Sequence, residues 1–191
     1  MTRPHFILAS ASPRRSALLT QMGVVADEII PADIDETPHK KELPTRYVER
    51  VAREKAQTIA SRKPDAVVLA ADTVVVCGRR ILPKAEDEQT ARECLQLLSG
   101  RRHRVHTAVC IIAGGKLKEH REETVVNFRR LTPIEIERYI ESGEWQGKAG
   151  GYAIQGCAEG FIPWIRGSYS NVIGLPLAKT CHMLASVGVK P

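Results

Sequence analysis

The chain has 191 residues, 43% hydrophobic and 26% charged, an ordinary globular mix that excludes disorder and fibrous repeats and leaves enough chain to bury a core. Its net charge of +6 fits a polyanionic partner or simply a soluble surface. The basic residues fall in short pairs (Arg14-Arg15, Arg101-Arg102, Arg129-Arg130) rather than tracts, and aromatics are only 5%, so nucleic acid is not the expected partner.

The elements follow in chain order. His5 to Ser10 reads as a short apolar strand. Ser12 offers a cap and Pro13 a first helical position, so Arg14 to Met22 is predicted helical, with Gly23 as its stop. Val24 to Ile30 reads as a second strand, followed by a polar loop carrying Asp33, Asp35 and Glu36. Thr45 to Arg62 is predicted to be a long helix, with Val48, Val51, Ala52, Lys55, Ala56 and Ile59 on one side. Ala66 to Val76 is the most strand-like run, apolar enough to be covered on both faces, and Arg80 to Leu82 can pair back across Gly78-Arg79. Asp87 to Ser99 is a helix stopped by Gly100. His103 to Ala113 and Lys116 to Arg130 form a hairpin around Gly114-Gly115. Thr132-Pro133-Ile134-Glu135 is a capping box opening a helix to Ser142. A glycine-rich segment from Lys148 to Gly156, a strand over Phe161 to Arg166 and a closing helix over Pro176 to Val187 complete the pattern. Strands alternating with helices, then a long hairpin, imply an α/β fold with a mixed sheet.

The five cysteines show no CxxC spacing and the six histidines do not cluster as metal ligands, so neither a disulfide framework nor a zinc site is expected. Scattered thiols suit a reducing cytoplasm. The opening Met-Thr-Arg-Pro-His-Phe-Ile-Leu-Ala-Ser is too short in apolar residues for a signal h-region or a membrane span, so no membrane is expected. P-loop, GxGxxG, HExxH and GxSxG motifs are missing.

What remains is a set of polar residues at element ends. Ser10-Ala11-Ser12-Pro13-Arg14-Arg15 follows the first strand, where two hydroxyls, two guanidiniums and a helix N-terminus can grip a triphosphate, or simply start a capped helix with surface arginines. Asp72 sits with Thr73 inside Ala70 to Val76, where a carboxylate is costly unless it is paired, binds a cation or caps a strand end. The loop Asp33-Ile34-Asp35-Glu36 alone is a solvated turn; with Asp72 it supplies the hard oxygens that Mg²⁺ or Mn²⁺ takes. Lys55, Lys84 and Lys148 are singly weak signals. In Lys148 to Gly156 the glycines allow close approach of backbone to a ligand or simply form a turn, and Gln155 has an amide suited to reading a base edge or to burial in that turn.

In their order these segments resemble the Maf family, from Ile7 to about Leu184. The resemblance is carried by Ser10 to Arg15, Ala52-Arg53-Glu54-Lys55-Ala56, Ala71-Asp72-Thr73-Val74-Val75, Leu98-Ser99-Gly100, Lys148 to Gly156, and Gly167-Ser168-Tyr169 to Leu177. It implies a single domain over residues 1–191: an elongated mixed sheet flanked by helices, two lobes around a central cleft, similar to the inosine triphosphate pyrophosphatases. It further implies hydrolysis of a nucleoside triphosphate between its α- and β-phosphates, dependence on Mg²⁺ or Mn²⁺, and a homodimer.

By position, Asp72 resembles the family's proton acceptor, and Glu36 a companion carboxylate at the metal. Arg14, Lys55 and Lys84 resemble its phosphate-facing cations, with Ser10 and Arg15 beside them. Arg14, Thr73 and Gln155 match positions tied to substrate choice, and Tyr-x-Ile-Gln-Gly resembles the branch acting on dTTP and UTP. Two departures stand out: Gly147 where many relatives carry Asp, and Lys84-Ala85 where many carry Lys-Pro. The alternatives are the same chemistry on 7-methyl-GTP or another modified nucleotide, and a non-enzymatic basic binding module linked to cell division.

Overall fold

The computed structural model describes residues 3–190. In chain order it contains β1 (Phe6–Ala9), α1 (Pro13–Gln21), β2 (Glu28–Ile29), α2 (Pro44–Ala60), β3 (Val67–Cys77), β4 (Arg80–Leu82) and β5 (Lys84–Ala85). Then come α3 (Glu88–Leu98), β6 (Arg102–Ala113), β7 (Lys116–Asn127), α4 (Pro133–Glu141), β8 (Lys148–Ala149), β9 (Trp164–Arg166), α5 (Tyr169–Ile173) and α6 (Leu177–Ala185). The main sheet has the order β2-β1-β3-β6-β7-β9, with β4 pairing β3. Parallel β1–β2 and β1–β3 ladders and antiparallel β3–β4 and β7–β9 ladders make it the mixed α/β sheet that the sequence pattern implies.

Two compact units emerge, each assembled from separate stretches of chain. The first comprises the chain up to Asp72, Thr107–Glu122 and the chain from Gly174 onward; the second comprises Thr73–His106 and Glu123–Ile173. In the first, β1 and the start of β3 are wholly apolar and buried, as strands covered on both faces must be. Helix α2 packs on β1 with Tyr47, Val48, Val51, Ala52, Ala56 and Ile59 inward, the helical stripe read from the sequence. Lys55 lies on that same buried stripe.

The second unit is built on α3 and α4, which pack on each other. Asp87 caps α3 by accepting from the Thr90 N–H, and Thr132 and Glu135 form the reciprocal capping box of α4. Its core joins Leu95, Leu98, Val105, Val126 and Ile140 to an aromatic group of Phe128, Tyr139, Trp145, Tyr152 and Phe161.

Several boundaries differ from the sequence reading. The second strand is only Glu28–Ile29, because the Val24 N–H is spent on the Leu19 carbonyl in closing α1 and cannot join a ladder. Ser12 holds the cap position of α1, but its side chain makes no capping bond; its N–H instead donates to Ser10 Oγ. The strand expected over Phe161 to Arg166 begins at Trp164, after Pro163, and Phe161 ends a 3₁₀ turn from Cys157. The strand expected to reach Arg130 ends at Asn127, where Phe128 N–H turns to the Arg101 carbonyl and Arg129 N–H to the Phe161 carbonyl. The β5–β8 pair was not foreseen, since two-residue strands carry no period. All five cysteines are free. Among the described residues no helix is long and apolar enough to cross a membrane.

Candidate active site

In the first unit the candidate residues from four separate elements come together. Lys55 Nζ lies 2.9 Å from Glu36 Oε1 and 2.9 Å from Asp72 Oδ1. Asp72 and Lys55 are both buried, while Glu36 is half-exposed. A lone lysine on a buried helical stripe would be prohibitive; here it is compensated by two carboxylates. The apolar run of β3 holds Asp72 rigidly, and α2 delivers Lys55 against it.

Glu36 comes from an irregular loop, which α2 fastens. Tyr47 Oη donates to the Glu36 carbonyl at 2.9 Å. Arg50 donates to both Glu42 carboxylate oxygens, at 2.8 and 2.9 Å, and to the Thr37 carbonyl at 3.1 Å. The Arg50 hydrogen bonds hold Glu42 down at about 2, well below the usual carboxylate range. Burial, reinforced by the negative charges of Asp72 and Glu36, pushes the Tyr47 phenol up to about 12, so it stays a neutral donor. Sequence reasoning missed this clamp; the Arg50–Glu54 spacing on α2 was its only visible trace.

Beside this cluster, Arg15 is buried and tied inward: Nε donates to the Gly174 carbonyl at 2.9 Å and a terminal nitrogen donates to Ser10 Oγ at 3.0 Å. Its role is therefore internal, bracing β1, α1 and the start of the closing segment. Burial lowers its affinity for its proton, Asp72 and Glu36 oppose that, and Arg14 adds to it. Arg14 is half-buried and likewise shifted down by burial. The start of α1 offers few free N–H groups, since Pro13 has none, Ser12 N–H donates to Ser10 Oγ and Arg15 N–H to the Ser12 carbonyl; the half-buried Arg14 side chain is the cation this end presents. Arg14 beside this lysine–carboxylate cluster can meet a polyphosphate, with Arg15 and Lys55 adding positive charge from within.

No three His, Cys, Asp or Glu side chains converge as a metal cage among the described residues. The donor set nevertheless fits Mg²⁺ or Mn²⁺ arriving with a triphosphate, because such ions keep several waters and need only one or two carboxylates besides phosphate oxygens. Glu36 and Asp72, which both meet Lys55 Nζ, are the two carboxylates of the cluster that could fill that role.

The second unit carries Thr73, Lys84 and Gln155. Thr73 follows Asp72 on β3 and is half-buried. Lys84 is exposed on β5, paired in register with Ala149 of β8. The Gly147 N–H donates to the Ala85 carbonyl at 2.8 Å, so the segment lacking the relatives' Asp is anchored through its backbone. Gln155 is exposed in a turn. Gly150 and Gly151 do not make room for a ligand, contrary to the sequence reading. Both have positive φ (+72° and +68°), and a Cβ would stand 2.9 Å from Val75 Cγ1 at the first and 3.2 Å from Ala91 Cα at the second. They let the loop press onto its own core.

Fold and site thus define an α/β protein with a buried acid–lysine cluster near Arg14 and Arg15 of α1. The chain belongs to the Maf family: the family model described as Maf-like protein matches residues 5–187. Among curated relatives, the dTTP/UTP pyrophosphatase of Novosphingobium aromaticivorans is 55% identical over 187 residues, 97% of this chain and 93% of the relative. The dTTP/UTP pyrophosphatase of Rhodospirillum rubrum is 56% identical over 186 residues, 97% of this chain and 89% of the relative. A HAM1 protein from Coxiella burnetii shares the fold, with a TM-score of 0.52 at 14% identity over 95% of this chain and 98% of that one.

Proposed function

We propose that this chain hydrolyses dTTP and UTP to the nucleoside monophosphate and pyrophosphate, acting with Mg²⁺ or Mn²⁺. The observation that carries the chemistry is Lys55 bridging Asp72 and Glu36. The choice of nucleotide is supported by the names of relatives more than 50% identical over nearly the whole chain.

In this reading Arg14, at the start of α1, holds the phosphates, and Lys84 contributes a further cation. Ser10 and Arg15 keep that grip in shape. Asp72 takes the proton from the attacking water as the bond between the α- and β-phosphates breaks. Lys55 keeps Asp72 and Glu36 oriented and offsets their mutual repulsion. A divalent ion held by Glu36 and Asp72 would neutralise phosphate charge and polarise the scissile group. Cationic groups fixed before the reaction stabilise the charge that develops on the leaving pyrophosphate. Gln155, with Thr73, selects the base: a pyrimidine bearing carbonyl acceptors and an N3–H can be answered by one amide. The protein works in the cytoplasm as a homodimer.

The test is a nucleotide panel of dTTP, UTP, CTP and 7-methyl-GTP with Mg²⁺, reading monophosphate and pyrophosphate. Turnover is expected on dTTP and UTP well above the other two. Preference for 7-methyl-GTP, or no cleavage of any nucleotide, would overturn the reading.

A further inference from the structure

The turn that carries Gln155 is held by three side chains that have no place in the chemistry above. His103 Nε2 and Tyr152 Oη share a hydrogen bond of 2.7 Å, and both residues are buried. The Tyr139 hydroxyl accepts from the Ala153 N–H at 3.0 Å. The Glu144 carboxylate accepts from the Cys157 N–H at 2.8 Å and lies against Gly156, where a Cβ would collide with it. Residues 152, 153 and 157 are thus fixed on both sides of Gln155. His103 also meets Phe128 and Tyr152 edge to face, with centroids 5.2 and 5.4 Å apart, so its ring cannot swing without breaking an aromatic cluster.

A buried polar bond inside an aromatic cluster is not the cheapest way to fill a core; an apolar pair of similar shape would serve stability as well. What the bond adds is direction, since a hydroxyl tied to a ring nitrogen fixes where the tyrosine and its backbone stand. An exposed amide selects a base only if its own position is set by rigid support.

We propose that His103 is a positioning residue for base selection: through Tyr152 it sets the Gln155 turn that distinguishes uracil and thymine from cytosine. This rests on the reading of Gln155 as the base-selecting group. Breaking the bond should leave the phosphate grip intact and lower discrimination between nucleotides.

The experiment measures kcat/KM for UTP and CTP, together with Tm, for wild type, Gln155→Glu, His103→Gln, His103→Phe and the double variant His103→Phe/Tyr152→Phe. His103→Phe leaves the tyrosine hydroxyl buried without its partner and should lower both Tm and the UTP:CTP ratio. The ratio should fall by about tenfold, below the ~10²-fold cost of a 1 Å misplacement. The double variant removes both polar partners, so Tm should recover while the ratio stays low. His103→Gln, able to bond the hydroxyl, should keep most of the ratio. A His103→Phe variant with the wild-type ratio, or a double variant that recovers ratio and Tm together, would overturn the proposal while leaving the activity standing. A wild-type ratio in Gln155→Glu would instead show that the underlying reading of Gln155 is wrong, and the proposal would fall with it.

Discussion

The two units solve opposite problems with their buried polar groups. In the first, full charges are buried and neutralise one another: Lys55 between Asp72 and Glu36, and Arg15 under the field of both acids. In the second, the buried polar groups around the Gln155 turn are neutral: the His103 ring, the Tyr139 and Tyr152 hydroxyls, and backbone N–H groups. Charges in a desolvated setting act strongly on a polyanion and are poor at telling bases apart. Fixed neutral dipoles do the reverse, because a mismatched edge leaves them unpaired. The contrast predicts that variants of the first unit change rate for every nucleotide, and variants of the second change the choice among them.

The largest effect belongs to Asp72. Asp72→Asn keeps the shape and removes the proposed proton acceptor, so kcat should fall by ~10²–10⁴-fold on all substrates, while the circular dichroism spectrum stays that of the wild type. A folded variant with near-normal turnover would break the comparison at its root.

Lys55→Met comes next, and it affects stability as well as rate. Two carboxylates would then face each other without their shared cation. Removing one partner from a buried ion cluster costs about 3–5 kcal/mol, to be read as a lower urea midpoint. Glu36 is partly solvated, which places the expected loss toward the lower end of that range.

A third comparison sets Arg14→Ala against Gln155→Glu over dTTP, UTP, CTP and 7-methyl-GTP. Arg14→Ala should lower all four together. Gln155→Glu, presenting an acceptor where the amide offered a donor, should lower dTTP and UTP most. Uniform loss in the second variant would erase the distinction between the units.

The smallest effect is a slope in acid. Burial pushes the His103 imidazole down to about 3 from an ordinary value of 6.5. The unfolded chain therefore binds a proton there between those values and the folded chain does not, so this residue makes stability fall as pH drops from about 6.5 toward 3. His103→Phe should flatten that part of the profile measured by urea midpoints; an unchanged slope would mean that the histidine is not held neutral.

Much of the first unit could be read directly from the sequence. The two-sided burial of β3 follows from its apolar run, the buried stripe of α2 from its helical spacing, and Asp72 and Lys55 stand out because each is a charge where an apolar residue is expected. The clamp on Glu36 was not legible, because Tyr47 and Arg50 act on backbone carbonyls and on Glu42 across an irregular loop with no period. The capping box of α4 in the second unit and the Gly114-Gly115 turn in the first were plain, since their signals are local. The support of the Gln155 turn was hidden: His103 and Tyr152 are 49 positions apart, and His103 and His106 of β6 are both buried, so nothing local marks the one that meets the tyrosine. Gly150 and Gly151 misled for the same reason, because the surface they press against comes from Val75 and α3.

The central claim is that the acid–lysine cluster drives cleavage between the α- and β-phosphates with a divalent ion. Phosphorus NMR of the wild-type protein with dTTP, with Mg²⁺ and then with excess EDTA, tests it most directly. The account predicts dTMP and pyrophosphate in equal amounts with Mg²⁺ and no cleavage after chelation. Thymidine diphosphate with orthophosphate as products, or undiminished turnover in metal-free buffer, would contradict it.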